Sequence, residues 1–211
     1  MPSGDLTLEQ LALLPLQGIA TLRALRGVIA RGARALVMDA HEGVPALMCQ
    51  EMARRGVHVT AVVAQDNVLA QAQCIAHGAR GYMAGSPAAV MLSMDEGSFH
   101  VVVDTRGGTK VYEAARRALV DGGHLICLSK DSGKSKSRSI RWGFKRTRIT
   151  TTYVPAPGTG EPTVDSSGLD PRDVMEEEGM DGLAPVVGKI VPFERGAEVF
   201  TGHGGVVRII N

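Results

Sequence analysis

The chain has 211 residues, of which 44% are hydrophobic and 21% are charged, enough to fill the core of one large domain or two small ones. Its 23 basic and 22 acidic residues leave a net charge of +1, which argues against a protein that binds polyanions over its whole surface. The three cysteines have no disulfide or metal-ligand spacing and no apolar run could span a membrane, so we expect an intracellular protein, cytoplasmic or nuclear.

Residues 1–30 are predicted to form lead-in helices. Apolar residues recur at helical spacing over 6–26, and Pro15 and Gly18 are expected to divide this stretch into two short helices. We expect residues 31–211 to form a single further domain.

Short β-branched strands then alternate with helical segments. The helices are expected to end at glycines, the second at Gly56, the third at Gly78 and a later one at Gly122 and Gly123. The alternation is typical of βαβ units, so we predict an α/β fold: a doubly wound, mostly parallel six-stranded Rossmann sheet with helices on both faces. A last helix is expected near 193–200. The predicted strands are 35–38, 57–63, 79–83, 99–103, 124–128 and 149–154, followed by a terminal strand at 206–210.

Two segments of opposite charge interrupt this pattern. Segment 130–148 carries eight cations against one acid, a local charge of +7, and segment 170–182 carries six acids against one arginine. The basic segment could bind a protein partner, or single-stranded nucleic acid through phosphate contacts and base stacking, or be a solvated loop neutralised by the acidic segment. The side chains that would bind the partner are Lys134, Lys136, Arg138, Arg141, Trp142, Lys145, Arg146 and Arg148.

Several segments together resemble the cofactor-binding half of the medium-chain dehydrogenase/reductase superfamily, particularly its zinc-independent quinone oxidoreductase branch. The resemblance covers residues 10–211 and implies a Rossmann domain derived from an NAD(P)H-dependent oxidoreductase. The family's N-terminal catalytic domain would precede residue 10, so we expect a chain that either belongs to a longer protein or works without that domain. The segments are LLPLQGIATLRALR, GARALVMDAHEGVPALMCQEMARRGVHVTAVV, FHVVVDTRGG, VYEAARRALVDGGHLICL and GKIVPFERGAEVF.

The family's glycine turn, A-x-x-G-x-x-G, is altered in this sequence. Ala40 and Gly43 fit it, but Pro45 stands at the last glycine and removes an N–H that could face a phosphate. Asp39 and Glu42 add carboxylates where a pyrophosphate would lie, which is repulsive in a cleft. We therefore expect no NAD(P) binding, or only weak binding.

Other candidate cofactor contacts follow the second and fourth strands. Asp66 could bind the ribose hydroxyls of NAD or cap the next helix, and the lack of a cation there disfavours NADP. The family's D-x-x-G-G turn implies that the segment from Asp104 to Gly108 lies beside the nicotinamide ribose; Arg106 within it could hold an anion or be a solvated loop cation. The candidate cofactor residues, vestigial if binding is lost, are Ala40, Gly43, Pro45, Asp66, Asp104, Gly107 and Gly108.

The strand at 149–154 is the expected dimer edge. In the resembled family this strand lies at the edge of the sheet and pairs with its copy across a two-fold axis. An unpaired edge containing Ile149, Thr151 and Tyr153 would otherwise be a template for aggregation. We expect a homodimer, which the cations at 145–148 would oppose unless acids intervene.

The residues indicate no catalytic group and no metal site, since no G-x-S-x-G elbow and no histidine pair at i, i+4 is present. The favoured hypothesis is a pseudoenzyme: a non-catalytic, oxidoreductase-derived Rossmann domain that serves as a dimerisation and protein-interaction module of a larger protein. One alternative is an NAD(P)H-dependent quinone oxidoreductase-like enzyme whose catalytic domain is missing from this chain. A methyltransferase, suggested by VMDAHEG, is the third hypothesis.

Overall fold

The computed structural model describes residues 6–65, 67–128, 149–153, 182–192, 194–195 and 205–208. Asp66, the basic segment 130–148 with all its candidate partner-binding side chains, and the acidic segment up to residue 181 lie outside the described residues. So does most of the helix expected near 193–200.

Helices and strands alternate along the chain from the first helix to the fifth strand, and three more strands follow among the described residues. The elements are α1 (Leu8–Leu25), β1 (Arg34–Met38), α2 (Gly43–Arg54), β2 (His58–Val63), α3 (Val68–Ala76), β3 (Gly81–Ala84), α4 (Pro87–Leu92), β4 (Phe99–Asp104), α5 (Thr109–Ala118), β5 (Leu119–Cys127), β6 (Ile149–Tyr153), β7 (Lys189–Pro192) and β8 (Gly205–Arg208).

Six strands form one sheet in the order β3-β2-β1-β4-β5-β6, and every neighbouring pair in it is parallel. This is the order of the doubly wound dinucleotide-binding fold, so the predicted fold class is confirmed. The direction of winding reverses between β1 and β4, which makes the gap between these two strands the switch point of the sheet. β7 and β8 pair with each other in a separate parallel two-stranded sheet.

The sheet is buried on both faces. Ala35 and Val37 of β1 pack into a cluster with residues of α1, α2 and α3, whereas Leu36 and Met38 pack with α4 and α5. Because successive side chains of a strand point to opposite faces, α1 to α3 cover one face and α4 and α5 the other. No helix in the described part of the chain is long and apolar enough to cross a membrane.

The predicted division of the first helix is wrong, because α1 runs unbroken from Leu8 to Leu25. Its start is fixed by a capping box, in which Thr7 and Gln10 each accept a hydrogen bond from the other's backbone N–H. Pro15 is exposed, so water can donate to the helix carbonyl that a backbone N–H at this position would otherwise bond. Leu22 and Leu25 are fully buried, and this packing favours a continuous helix.

The fifth helix ends earlier than predicted, at Ala118 and not at Gly122. β5 already begins at Leu119, and its register against β4 shifts over the first part of the strand. A Cβ at Gly123 would lie 3.0 Å from a backbone carbonyl oxygen, so this glycine permits a close approach inside the strand and does not cap a helix. Helix α4 is an addition to the prediction, since its six residues are too few to show a period.

A short segment near the C-terminal end of the chain is held against α1 and α2. The Gln50 side-chain amide donates to the carbonyl of Ala184 and accepts from its N–H, both at 2.9 Å. Gln10 donates to the carbonyl of Pro185 at 3.2 Å, and Leu183 is buried. Gln50 thus pairs with this segment as a backbone amide would in a sheet, and we call the contact the Gln50 clamp.

Candidate functional site

A cleft opens at the carboxyl edge of the sheet, beside the switch point. Its volume is about 300 Å³. Ligands of open parallel sheets bind at this edge, because loops from several strands converge there. The lining residues lie at or just after the carboxyl ends of β1, β2, β3 and β4: Asp39, Val62, Val63, Ala64, Gln65, Gly85, Ser86, Pro87 and Arg106.

Asp39 links the loops after β1 and β4. Its Oδ1 accepts a hydrogen bond from Arg106 Nη2 at 2.8 Å, and its Oδ2 accepts one from Thr105 Oγ1 at 2.6 Å. The Asp39 backbone has a φ of +52°, the left-handed region that a non-glycine residue occupies at a cost of roughly 1–2 kcal/mol. Both side-chain contacts span the switch point, so the two loops are joined where a dinucleotide would cross the sheet.

Asp104 shapes the second of these loops. It is completely buried, and its Oδ1 accepts hydrogen bonds from the backbone N–H groups of Arg106 (2.9 Å) and Gly107 (2.8 Å). Gly107 and Gly108 both have positive φ values, and Gly108 is the N-cap residue of α5. The buried carboxylate of Asp104 therefore acts within the protein, on the turn that directs Arg106 towards Asp39.

Arg106 is a paired cation. The hydrogen bond and charge of Asp39, with a smaller contribution from Glu42, raise the pKa of Arg106 above its usual value, against a desolvation effect that lowers it. The Arg106 side chain is 58% exposed and that of Asp39 is 13% exposed. Arg106 thus forms the outer wall of the cleft and Asp39 the inner wall.

The start of α2 carries a carboxylate and a proline beside the place where a phosphate would bind, although its uncapped first-turn N–H groups could still donate. Its N-cap residue Glu42 makes no capping hydrogen bond with its side chain, and Gly43 has a φ of +56°. Pro45 lies buried in the first turn, as the sequence indicates, and has no N–H to donate. The carbonyl of the buried Ala40 accepts a hydrogen bond from His77 Nδ1 at 2.9 Å, which fixes the turn against the end of α3.

The predicted cofactor residues lie at the carboxyl edge of the sheet, but beside the cleft and not in its lining. Ala40, Gly43 and Pro45 belong to the loop after β1 and the start of α2, whereas Asp104, Gly107 and Gly108 belong to the end of β4 and the loop after it. None of these six described candidates lines the cleft. Among the lining residues that the prediction omits, Ser86 followed by Pro87 is a helix-start signal that would have indicated a loop at this edge.

The thiols of Cys49 and Cys74 are fully buried. Burial, with a smaller contribution from Cys74, raises the pKa of Cys49 to about 12; burial and then the charge of Asp39 raise that of Cys74 to about 11. Neither is a nucleophile at neutral pH. Within the described ranges, no group of three histidine, cysteine or acidic side chains could hold a metal ion.

No protein-family model matches the sequence, and no curated protein sequence matches it. Solved structures do match. One is the quinone oxidoreductase from Thermus thermophilus, solved also with NADPH: TM-score 0.70, 21% identity, 99% of this chain and 68% of that one. The quinone oxidoreductase from Coxiella burnetii matches with a TM-score of 0.64 and 17% identity, over 94% of this chain and 60% of that one. The cobalt- and zinc-bound alcohol dehydrogenase from Pyrobaculum aerophilum matches with a TM-score of 0.62 and 17% identity, over 94% of this chain and 56% of that one.

At these identities the similarity concerns the fold. The chain spans 56–68% of the length of the three proteins. It thus has the fold of the Rossmann domain in quinone oxidoreductases and alcohol dehydrogenases, which agrees with the resemblance seen in the sequence.

Proposed function

We propose that this Rossmann domain, whose fold is that of the quinone oxidoreductases and alcohol dehydrogenases, derives from an oxidoreductase and now acts without catalysis, as a dimerisation and protein-interaction module. The observation that carries the proposal is the link from Asp39 to Arg106 and Thr105 across the switch point. A dinucleotide would need that gap for its pyrophosphate.

Electrostatics support the loss of dinucleotide binding. Asp39 and Glu42 bring two negative charges to the site against the single positive charge of Arg106. Two like charges 4 Å apart repel by about 4 kcal/mol at an effective dielectric constant of about 20. The dipole of α2 returns only about 0.3–1 kcal/mol per anion, and Pro45 removes one of its donors. The three side chains together leave a net charge of −1 at the site, which opposes the arrival of a pyrophosphate.

Titration calorimetry of the full chain with NADH and NADPH tests this proposal. We expect no heat of binding at millimolar nucleotide while circular dichroism shows a folded protein. A micromolar Kd for either nucleotide would overturn it.

That outcome would support the second candidate, an NAD(P)H-dependent quinone oxidoreductase-like enzyme whose catalytic domain is not in this chain. Two observations favour it: the cleft at the carboxyl edge of the sheet, and the similarity to a quinone oxidoreductase solved with NADPH. The bound cofactor would supply the hydride, and residues of this chain would bind and orient it.

The dimer is proposed to form at β6. This strand ends the sheet, and within the described residues only β5 pairs with it, over Gly123–Cys127. Pairing of two β6 strands across a two-fold axis would satisfy its outward backbone groups.

Two proline variants, Thr151→Pro and Thr152→Pro, test the dimer together. Successive N–H groups of a strand point to opposite sides, so one proline removes a bond to β5 and the other an outward donor. We expect the variant that loses a bond to β5 to melt at a lower temperature. The variant that loses an outward donor should stay folded but sediment as a monomer, with half the mass of the dimer. If neither changes the mass, β6 is not the dimer edge.

The basic segment 130–148 is proposed to bind an acidic protein partner. Replacing Lys145, Arg146 and Arg148 by Glu tests it against an acidic peptide and a single-stranded DNA oligonucleotide at two salt concentrations. Loss of peptide binding alone supports a protein partner, whereas loss of DNA binding alone supports nucleic acid. Unchanged binding of both removes the segment from the proposal.

A further inference from the structure

The outer face of α3 is apolar, although it faces solvent. Val68 is 73% exposed, Leu69 is 70% exposed and Ile75 is 46% exposed, while Ala70 and Cys74 form the buried side of the helix. None of the nine residues of α3 carries a charge at neutral pH. A helix with one buried face normally presents charged residues on the other, so this one is unusual.

The apolar face continues to the edge of the sheet. β3 is the outermost strand at the end opposite β6, and no strand among the described residues pairs with its outer side. Tyr82 of β3 is 44% exposed and is in register with Ala61, which packs on the α3 side of the sheet. Paired residues of parallel strands share a face, so Tyr82 lies on the same face as α3. The α3–β3 surface consists of Val68, Leu69, Ile75, Tyr82 and the outer edge of β3.

We propose that the α3–β3 surface docks a second copy of this chain, with β3 antiparallel to β3 and α3 packed against α3. A two-fold axis perpendicular to the sheet produces both contacts at once, since it keeps each α3 on the same face of the joined sheet. Four backbone-paired residues per strand and three large apolar side chains per helix would then be covered.

The lack of charge favours a second copy as the partner. In a two-fold contact each surface meets itself, so any charge on it meets its own sign. The uncharged α3 avoids this repulsion, and antiparallel packing sets the opposite ends of the two helix dipoles side by side. Arg80 follows the C-terminal end of α3, so the same arrangement keeps the two copies of this cation at opposite ends of the contact.

This contact is independent of the proposed pairing at β6. The two strands lie at opposite edges of one sheet, so both contacts can form in one chain. Copies joined at both edges would exceed a dimer in mass, and the excess would grow with concentration.

Sedimentation equilibrium of the full chain over a wide concentration range tests the proposal through Leu69→Glu. Each contact would then bury two like carboxylates, so we expect the Kd of this association step to rise by roughly 100-fold. The matched control is Leu92→Glu, which alters a leucine of α4 that is 54% exposed on the other face of the sheet. Both changes are at exposed positions, and the control should associate as the wild-type chain does.

The two proposed contacts fail separately. If the L69E variant forms assemblies of lower mass than the wild-type chain does, but the proline variants in β6 do not, the α3–β3 contact is supported and the β6 pairing is not. A mass that L69E leaves unchanged at every concentration overturns the α3–β3 proposal, and a partner of another kind would then be the candidate occupant. L69E that lowers the mass no more than L92E also overturns it.

Discussion

At the scale of single residues, Asp39 combines two roles that rarely coincide. Its left-handed backbone favours glycine, the residue that a dinucleotide-binding turn uses for close approach, yet its carboxylate holds Thr105 and Arg106. Two hydrogen bonds of about 0.5–1.5 kcal/mol each offset a backbone cost of roughly 1–2 kcal/mol. The position is therefore stable because the loops after β1 and β4 are joined.

Replacing Asp39 should reopen the switch point. In the triple variant Asp39→Gly, Glu42→Gly and Pro45→Gly, both carboxylates are gone, a backbone donor is restored and Arg106 is released to meet a phosphate. We expect a heat of NADH binding at millimolar nucleotide, where the wild-type chain gives none, because removing about 1.4 kcal/mol of repulsion or more raises the affinity at least roughly tenfold. The control variant keeps Glu42→Gly and Pro45→Gly but carries Asp39→Asn, since the amide fits the left-handed backbone without the charge. A folded triple variant without any NADH binding would show that the link is not what excludes the dinucleotide.

At the scale of elements, the positive-φ glycines are of two kinds. Gly78 closes α3 with a φ of +95°, and a Cβ there would lie 2.7 Å from the Cβ of Ala53 in α2. Gly122 in β5 has a φ of +79°, but a Cβ there would meet nothing within 4 Å. One glycine is needed for its backbone and for space, the other for its backbone alone.

Alanine at these two positions separates the causes. Gly122→Ala should lower the free energy of unfolding by about 1–2 kcal/mol, the cost of the left-handed backbone. Gly78→Ala should lower the free energy of unfolding by the same backbone cost and by about 1–3 kcal/mol more, because its Cβ would overlap α2. Urea unfolding of both variants measures the difference; equal losses would mean that α2 and α3 move apart at no cost.

The sequence contained most of the fold but little of the cleft. Alternating β-branched runs and helical stripes are local signals, and they predicted all six strands of the main sheet near their observed positions. The continuity of α1 and the end of α5 depend on tertiary packing, so Pro15 and Gly122 misled local reasoning. The Asp39–Arg106 contact joins residues 67 positions apart, and no local pattern indicates it.

At the scale of the whole molecule, stability depends on pH through the buried thiols of Cys49 and Cys74. Their pKa values in the folded chain, about 12 and about 11, exceed the ordinary value of 9.0. Above pH 9 the unfolded chain therefore binds fewer protons than the folded one, and stability falls as pH rises towards 11. Below pH 9 both states hold the thiol protons, and these groups contribute no slope.

The expected loss between pH 8 and pH 10 is about 2–3 kcal/mol, from about 1.4 kcal/mol per pH unit for each thiol. Urea unfolding at the two pH values measures it. The control is the double variant Cys49→Ala and Cys74→Ala, which should be less stable throughout but should lack this part of the slope. An equal slope in both proteins would assign the alkaline loss to other groups.

The Gln50 clamp sets an order of events during protein synthesis. Its two partners are 134 positions apart, so the amide of Gln50 emerges from the ribosome long before Ala184 exists. At about 5–20 residues per second, the delay is roughly 7–27 s. During that time the strands from β2 to β6 are made, while a side chain destined for burial stays open to water. The nascent domain therefore completes its α1–α2 side last.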